Sequence, residues 1–398
     1  MNAIVTIEQR YARTPDGHIW TADQNAYSLF TRYLAIFEHV TVISRVQDVD
    51  SVPETSLRAD GPGVSFHPIP YYHGFLQYLP QFARINQAVR SAIPADSAVF
   101  FHVASLLAGI AAPSLQRIGY PYGVEAVSDP ANTFAPGTMK HPLRPFFRYW
   151  FAKSMTEQCA HAAGACYVTK QYLQTRYPCP AFMVGVSDVV IDNAALVSEA
   201  HTPPASGPIR LVLVGSLQQL YKGPDILVEA LRQCVSSGLD LHLTMIGDGK
   251  YRAQIEVQVQ QAGLTERVRF AGNLPGAPAV RAELDQADLF VLPSRSEGLP
   301  RAVVEAMARG LPCISTTVGG IPELLEARDL VPPEDTDALA RKITEFVTDP
   351  TRMTQAAARN LAEARDYHLE TLKQRRQTFY RHIADITQRW LDAHRSRV

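Results

Sequence analysis

Two glutamates stand eight positions apart in the stretch SRSEGLPRAVVEAMARG, residues 294–310: Glu297 in a loop-like run, Glu305 among Val303, Val304, Ala306 and Met307. A carboxylate in apolar company either pairs with a cation or accepts hydrogen bonds from a ligand. Pro300 suits a first helical turn, where its missing N–H is not needed, and Gly310 with Pro312 marks the helix exit. The loop before that helix therefore offers free N–H groups and a positive dipole end, which favour an anion or a ring of hydroxyls. Gly298 lets the backbone come close to such a ligand. Upstream, Lys222 and Gly223 lie between an apolar run and a helical pattern, where a lysine meets phosphate as a point charge. Plainer roles stay open: Arg301, Glu305 and Arg309 at i, i+4 and i+8 also read as a solvated stripe with two ion pairs, and Lys222 as a turn lysine.

Residues so placed need strands that end just before them. In the first half AIVTI, HVTVIS, VSFHPI, AVFFHV, YGVEAV, ACYVT and AFMVGV read as strands; in the second, IRLVLVG, LHLTMIG, RVRFAG, DLFVLP and CISTT. Helical patterns alternate with them, which implies parallel sheets covered by helices on both faces. The fold class is α/β, with two Rossmann-like doubly wound domains facing a central cleft. Ligands of such sheets bind outside the C-terminal strand ends, where Glu297 and Lys222 fall.

The 398 residues exceed one ordinary core. The stretch SEAHTPPASGPIR, rich in proline and small residues, reads as a linker. It divides an N-terminal domain, residues 1–204, from a second domain, residues 205–370. The polar helical segment 371–398 is then free to pack back on the first. With 46% hydrophobic and 19% charged residues the chain is globular, and a net charge of −1 supplies no basic field for nucleic acid. Five cysteines without a CxxC pair fit small core residues of a reducing compartment. The N-terminus lacks a signal-peptide layout, and the longest apolar run, AVFFHVASLLAGIAAPSL, falls short of a bilayer span. The expectation is a cytoplasmic protein, with attachment to the inner face of the membrane compatible.

No GxGxxG follows a strand and no GxxxxGK[ST] is present, which argues against a nicotinamide dehydrogenase and a P-loop NTPase. The ordered set VGSLxxxYKGxDxL, IGDG, RFAGN, ADLFVLPSRSEGLPRAVVEAMARGLPCI and VGGIPE, over about residues 209–325, instead resembles the donor domain of the retaining glycosyltransferases of family 4, which have the GT-B fold. That resemblance implies a hexosyltransferase that moves a sugar from a nucleoside diphosphate sugar, with retention, to a saccharide or lipid-linked saccharide in cell-surface polysaccharide or glycoconjugate synthesis. It implies that Glu305 holds ribose hydroxyls, that Glu297 faces the transferred sugar, and that the loop at Gly298, Leu299 and Pro300 meets its hydroxyls and phosphate. Lys222 corresponds to a phosphate-binding lysine, and Asn273 with Leu274 to positions bordering the base. It implies no cofactor and no metal; cations and helix N-termini stabilise the departing diphosphate, and no DxD-like pair follows a strand here. A nucleotide-sugar 2-epimerase and a non-catalytic nucleotide-sugar binder are the alternative readings.

Two positions depart from the family pattern. Ser216 stands where many members have arginine, leaving a cation to be supplied by Arg295 or Lys250. A histidine usual after the fifth strand is absent; Glu125, Ser128 and Asp129 occupy that exit, with His102 on the neighbouring strand as a weaker catalytic candidate. In the first loop Gly17 is the expected point of approach to the diphosphate, although PDG is also a plain turn signal. Finally, KHPLRPFFRYWFAKS carries Lys140, Arg144, Arg148 and Lys153 without an acid. On a helical wheel Phe146, Phe147, Trp150 and Phe151 gather opposite Arg144 and Arg148, as in a helix lying at an anionic membrane or, equally, a core helix with solvated charges. Residues 140–153 are thus the candidate membrane contact.

Overall fold

The computed structural model describes residues 1–22, 25–93, 96–134 and 142–395. Its strands are β1 (Ala3–Arg13), β2 (Ile19–Thr21), β3 (Val40–Asp48), β4 (Leu57–Arg58), β5 (Val64–Ile69), β6 (Ala98–Val103), β7 (Gly123–Ala126), β8 (Gly164–Tyr167), β9 (Met183–Gly185), β10 (Ile209–Val214), β11 (Leu241–Ile246), β12 (Val268–Gly272), β13 (Leu289–Leu292), β14 (Cys313–Thr316) and β15 (Leu330–Val331). They form two sheets, β1 to β9 and β10 to β15, and no strand is shared between them.

In the first sheet the parallel order is β5-β3-β1-β6-β7-β8-β9, with β2 antiparallel on the end of β1 and β4 beyond it. In the second it is β12-β11-β10-β13-β14-β15, all parallel. Each follows the doubly wound order in which chain direction across the sheet reverses beside the first strand, opening a crevice there. Helices on both faces explain why β6, β13 and β14 are apolar without alternation: every residue of each is buried.

The long apolar run of the first half resolves into β6 followed by the helix Leu106–Arg117, whose start is capped by Ser105 Oγ accepting from Ala108 N at 3.2 Å. Among the described residues no helix is long and apolar enough to cross a membrane. The last helix, Leu369–Arg395, returns to the first sheet. Tyr380 stacks on Tyr33 with ring centres 4.4 Å apart, and Phe379 meets Phe100 edge-on at 5.8 Å. Arg376 on the same helix donates to Ser187 O and pairs with Asp188. The five cysteines are free and buried.

Candidate active site

β10 and β13 are hydrogen-bonded neighbours, Leu211 opposite Leu289 and Val212 opposite Phe290. Their exits, residues 215–223 and 293–300, therefore lie side by side at the crevice. Gly223, at φ 72°, sits where a Cβ would fall 2.1 Å from Pro293 O, so the two loops press backbone on backbone. Arg295 fastens them: its N–H donates to Tyr221 O at 2.7 Å, and its guanidinium donates to Leu220 O at 2.6 Å and grips Asp225 with two bonds of 2.8 Å. Arg295 is thus committed to bracing the Leu220–Lys222 turn rather than presented as the substitute cation. Lys250, the other candidate, is exposed against the Tyr251 ring.

Held this way, Lys222 Nζ donates to Glu297 Oε1 at 2.6 Å, and Ser294 Oγ donates to the same oxygen at 2.8 Å. The two charged side chains are only 13% and 7% exposed. Glu297, Gly298, Ser296, Gln219 and Tyr221 form one wall of a cavity of about 340 Å³; Ser128, Asp129, Asn132 and Thr133 of the first domain form the other. Beside it a larger cavity of about 1120 Å³ brings Ser216, Asn273, Leu299 and Arg301 opposite Ala22, Asn25, Arg32, Val127 and Asp188. Gly298 approaches the first domain so closely that a Cβ would meet Val127 O at 3.2 Å.

Glu305 lies on the helix Arg301–Ala308, behind this loop. Burial raises the proton affinity of its carboxyl, and the nearby charges of Arg301, Lys222 and Arg281 oppose that rise. Among the described residues its carboxylate makes no salt bridge and no hydrogen bond: Lys222 turns to Glu297, and Arg309 turns away to Asp285 and the carbonyls of Ala194 and Ala195. The stripe of two ion pairs does not form. Pro300 takes the N-cap position itself, with the helix starting at Arg301.

The remaining expected residues divide. Ser216, Asn273 and Leu299 line the cleft; Leu274 packs against the core. Gly17 does not join them: β1 runs on to Arg13 and pairs with β2, which carries the turn at Gly17 to a separate cavity with Arg13 and Asp48. His102 is 9% exposed and lines neither cavity of the cleft; its Nε2 lies 3.2 Å from Tyr33 Oη and 3.5 Å from Glu125. Asp129 is buried and saturated, accepting from Ala131 N, Tyr172 Oη and Tyr177 Oη and pairing with Arg176. Among the cleft residues missed from sequence are Arg301, first residue of the helix after the Glu297 loop, and Thr133, whose signal is only its closeness to the β7 exit.

A third cavity, about 420 Å³, shares Ser128 and Thr133 with the Glu297 cavity. Tyr72, Phe75, Phe134, Phe147, Trp150 and Phe151 line it, with Glu8 and Arg45 as its charged groups. The aromatic face expected on one side of the helix Arg144–Ala160 is therefore split. Phe147 is buried against Phe75, while Phe146 and Tyr149 are 53% and 67% exposed, as are Leu76 (88%) and Leu79 (53%) on the neighbouring helix Gly74–Ser91. Lys140 and His141 lie outside the described residues.

Two doubly wound domains with a cleft between their C-terminal strand edges are the GT-B fold. Residues 198–364, most of the second domain, match the family described as Glycosyl transferases group 1. The chain is 26% identical to Protein CapJ of Staphylococcus aureus over 350 residues, 87% of each chain. It is 34% identical to the putative colanic acid biosynthesis glycosyltransferase WcaL of Salmonella typhimurium over 177 residues, 42% of this chain and 43% of that one. Among solved structures, Anabaena Alr3699/HepE in complex with UDP and glucose superposes with a TM-score of 0.61 at 16% identity, covering 94% of this chain and 98% of that chain.

Proposed function

We propose that this glycosyltransferase moves a hexose, with retention and without a metal, from a nucleoside diphosphate sugar to a saccharide or lipid-linked saccharide in cell-surface polysaccharide synthesis. The observation that carries the reading is the unpaired, half-buried Glu305 carboxylate next to a Lys222–Glu297 pair at the crevice of the second sheet. Glu305 accepts the ribose hydroxyls, and Asn273 with Leu274 borders the base. Lys222 and the N–H groups around Gly298 and Leu299 meet the diphosphate, with Ser216 and Arg301 along its path. Glu297 orients the sugar hydroxyls.

The acceptor hydroxyl attacks the anomeric carbon on the face from which the diphosphate leaves. The sugar–phosphate C–O bond breaks with its electron pair on the phosphate oxygen, and that oxygen takes the hydroxyl proton. Lys222 and the preorganised N–H donors stabilise the developing charge, which leaves no step needing a metal. The WcaL likeness supports the polysaccharide setting. The aromatic cavity adjoining the Glu297 cavity, and the exposed Phe146, Tyr149, Leu76 and Leu79 beside Arg148 and Lys153, support a lipid-linked acceptor met at the cytoplasmic membrane face.

Thermal unfolding with UDP, GDP, ADP and dTDP, wild type beside Glu305→Ala, tests this, with UDP first because of the HepE complex. A nucleotide at 100 times its Kd adds about 2.7 kcal/mol to the wild type and much less to the variant. No shift with any of the four would remove the reading.

A further inference from the structure

Helix Tyr172–Arg176 of the first domain has one local cap, Thr169 Oγ1 accepting from Leu173 N at 3.0 Å, while Gln171, at the N-cap, makes no capping bond. Three successive N–H groups there point at the second domain instead, and all three donate to one carboxylate. Lys170 N meets Glu323 Oε2 at 2.5 Å, Gln171 N meets Oε1 at 3.0 Å, and Tyr172 N bonds the same Oε1. An anion at a helix start satisfies orphan donors and the dipole together, and here it comes from 151 to 153 residues away. The cap can exist only while the two domains are held together.

Both ends of this contact reach the transfer cavity. Glu323 closes the turn Gly319–Glu323, in which Gly320 N donates to Gly298 O at 2.6 Å. A Cβ on Gly319 would lie 2.2 Å from Glu297 O, and one on Gly320 would meet both Gly298 O and Thr169 Cγ2 within 3 Å. On the other side, Tyr172 Oη donates to Asp129 Oδ2 at 2.7 Å and accepts from Asn132 Nδ2 at 2.9 Å. Asp129 and Asn132 form the wall opposite Glu297.

We propose that Glu323 is a positioning residue, an interdomain latch that caps helix Tyr172–Arg176 in trans and holds the Asp129–Asn132 wall at working distance from Glu297. The turn that carries it packs on the Glu297 loop, so the latch ties that loop to the wall opposite it. The activity part of this inference rests on the glycosyl transfer proposed above; the conformational part does not.

The test compares wild type with Glu323→Gln, which keeps shape but opposes an amide to the N–H groups, and with Glu323→Asp, which keeps charge but shortens the reach. The expected result for Glu323→Gln is a larger radius of gyration of the ligand-free protein in small-angle scattering. It also includes nucleotide Kd within about twofold of wild type, and kcat for transfer lower by about 10- to 100-fold with donor KM little changed, since a wall displaced by about 1 Å costs on that scale. Glu323→Asp is expected between the two. An unchanged radius of gyration in both variants overturns the latch, even where no transfer assay is in hand. A fall in nucleotide affinity equal to the fall in kcat also overturns it, because the residue would then be part of the donor site's structure and not of closure.

Discussion

Glu305→Gln separates a carboxylate kept for a ligand from one kept for structure. The side chain is half-buried, its proton affinity is raised, and two of the three cations near it are committed: Lys222 to Glu297 at 2.6 Å and Arg281 toward Asp192 at 4.0 Å. A carboxyl whose folded pKa lies above its unfolded value of 4.5 contributes stability fully present below that value and lost as pH rises through the folded one. At pH 7 the ionised group thus weighs against the fold, and the neutral amide removes that burden. The expected gain is about 1 kcal/mol, typical of relieving a functional residue, or about 1–3 °C in unfolding midpoint for a chain of this size. Repeated at pH 4, where Glu305 is protonated in folded and unfolded chains alike, the gain should shrink to near zero. Nucleotide binding should move the opposite way. Hydrogen bonds to a charged group are worth about 1.5–3 kcal/mol, so calorimetric Kd should weaken by about 10- to 100-fold. A Gln variant less stable than wild type at pH 7, or one binding nucleotide equally well, would refute the argument and return Glu305 to a structural role.

Lys222→Met and Glu297→Gln, singly and together, probe the buried pair by urea unfolding. Each single change strands a charge at about 3–5 kcal/mol, whereas the double variant should recover most of that loss; a coupling below about 0.5 kcal/mol would mean the pair is absent in solution. Membrane contact is checked by co-sedimentation with anionic and neutral vesicles. The protein should pellet with anionic vesicles at low salt, less so at 0.5 M salt on the order set by screening, and Phe146→Glu with Tyr149→Glu should abolish it; no pelleting at low salt removes the contact.

The Glu297–Glu305 stretch was legible because its chemistry is local: a strand exit, a glycine, a proline and a helix of fixed period lie within one segment. The Lys222–Glu297 bond was not, since its partners are 75 residues apart and meet only through the adjacency of β10 and β13. Arg295 shows the same limit. A cation beside a candidate phosphate site reads as a ligand contact, and only Asp225, in the first turn of the helix Pro224–Ser236 after the neighbouring β10 exit, reveals it as a brace. Gly17 was a correct turn signal in a misplaced turn, because nothing local tells how far β1 continues before β2 pairs back. For residues 144–151 the single aromatic face expected from the wheel does not hold together, and packing against Phe75 and Phe134 decides which rings are inside. Phe147 goes inward against Phe75 and Phe146 stays out.

The cleft's charge balance bears on the missing arginine. Ser216 is turned to its own loop, its Oγ accepting from Gln218 N at 3.2 Å, and Lys222 is neutralised by Glu297 before any ligand arrives. A diphosphate entering this cleft cannot rely on a second lysine-like charge at position 216. It must draw Lys222 partly away from Glu297, and Glu297 is then left to accept from sugar hydroxyls instead. On the reading proposed above, donor phosphate and donor sugar share one hydrogen bond, so a bare nucleoside diphosphate would leave Glu297 buried with its cation shared and no hydroxyl in exchange. The intact nucleotide sugar would restore both partners, so on that reading it binds more tightly than the bare nucleoside diphosphate, and equal calorimetric affinities would refute the shared bond.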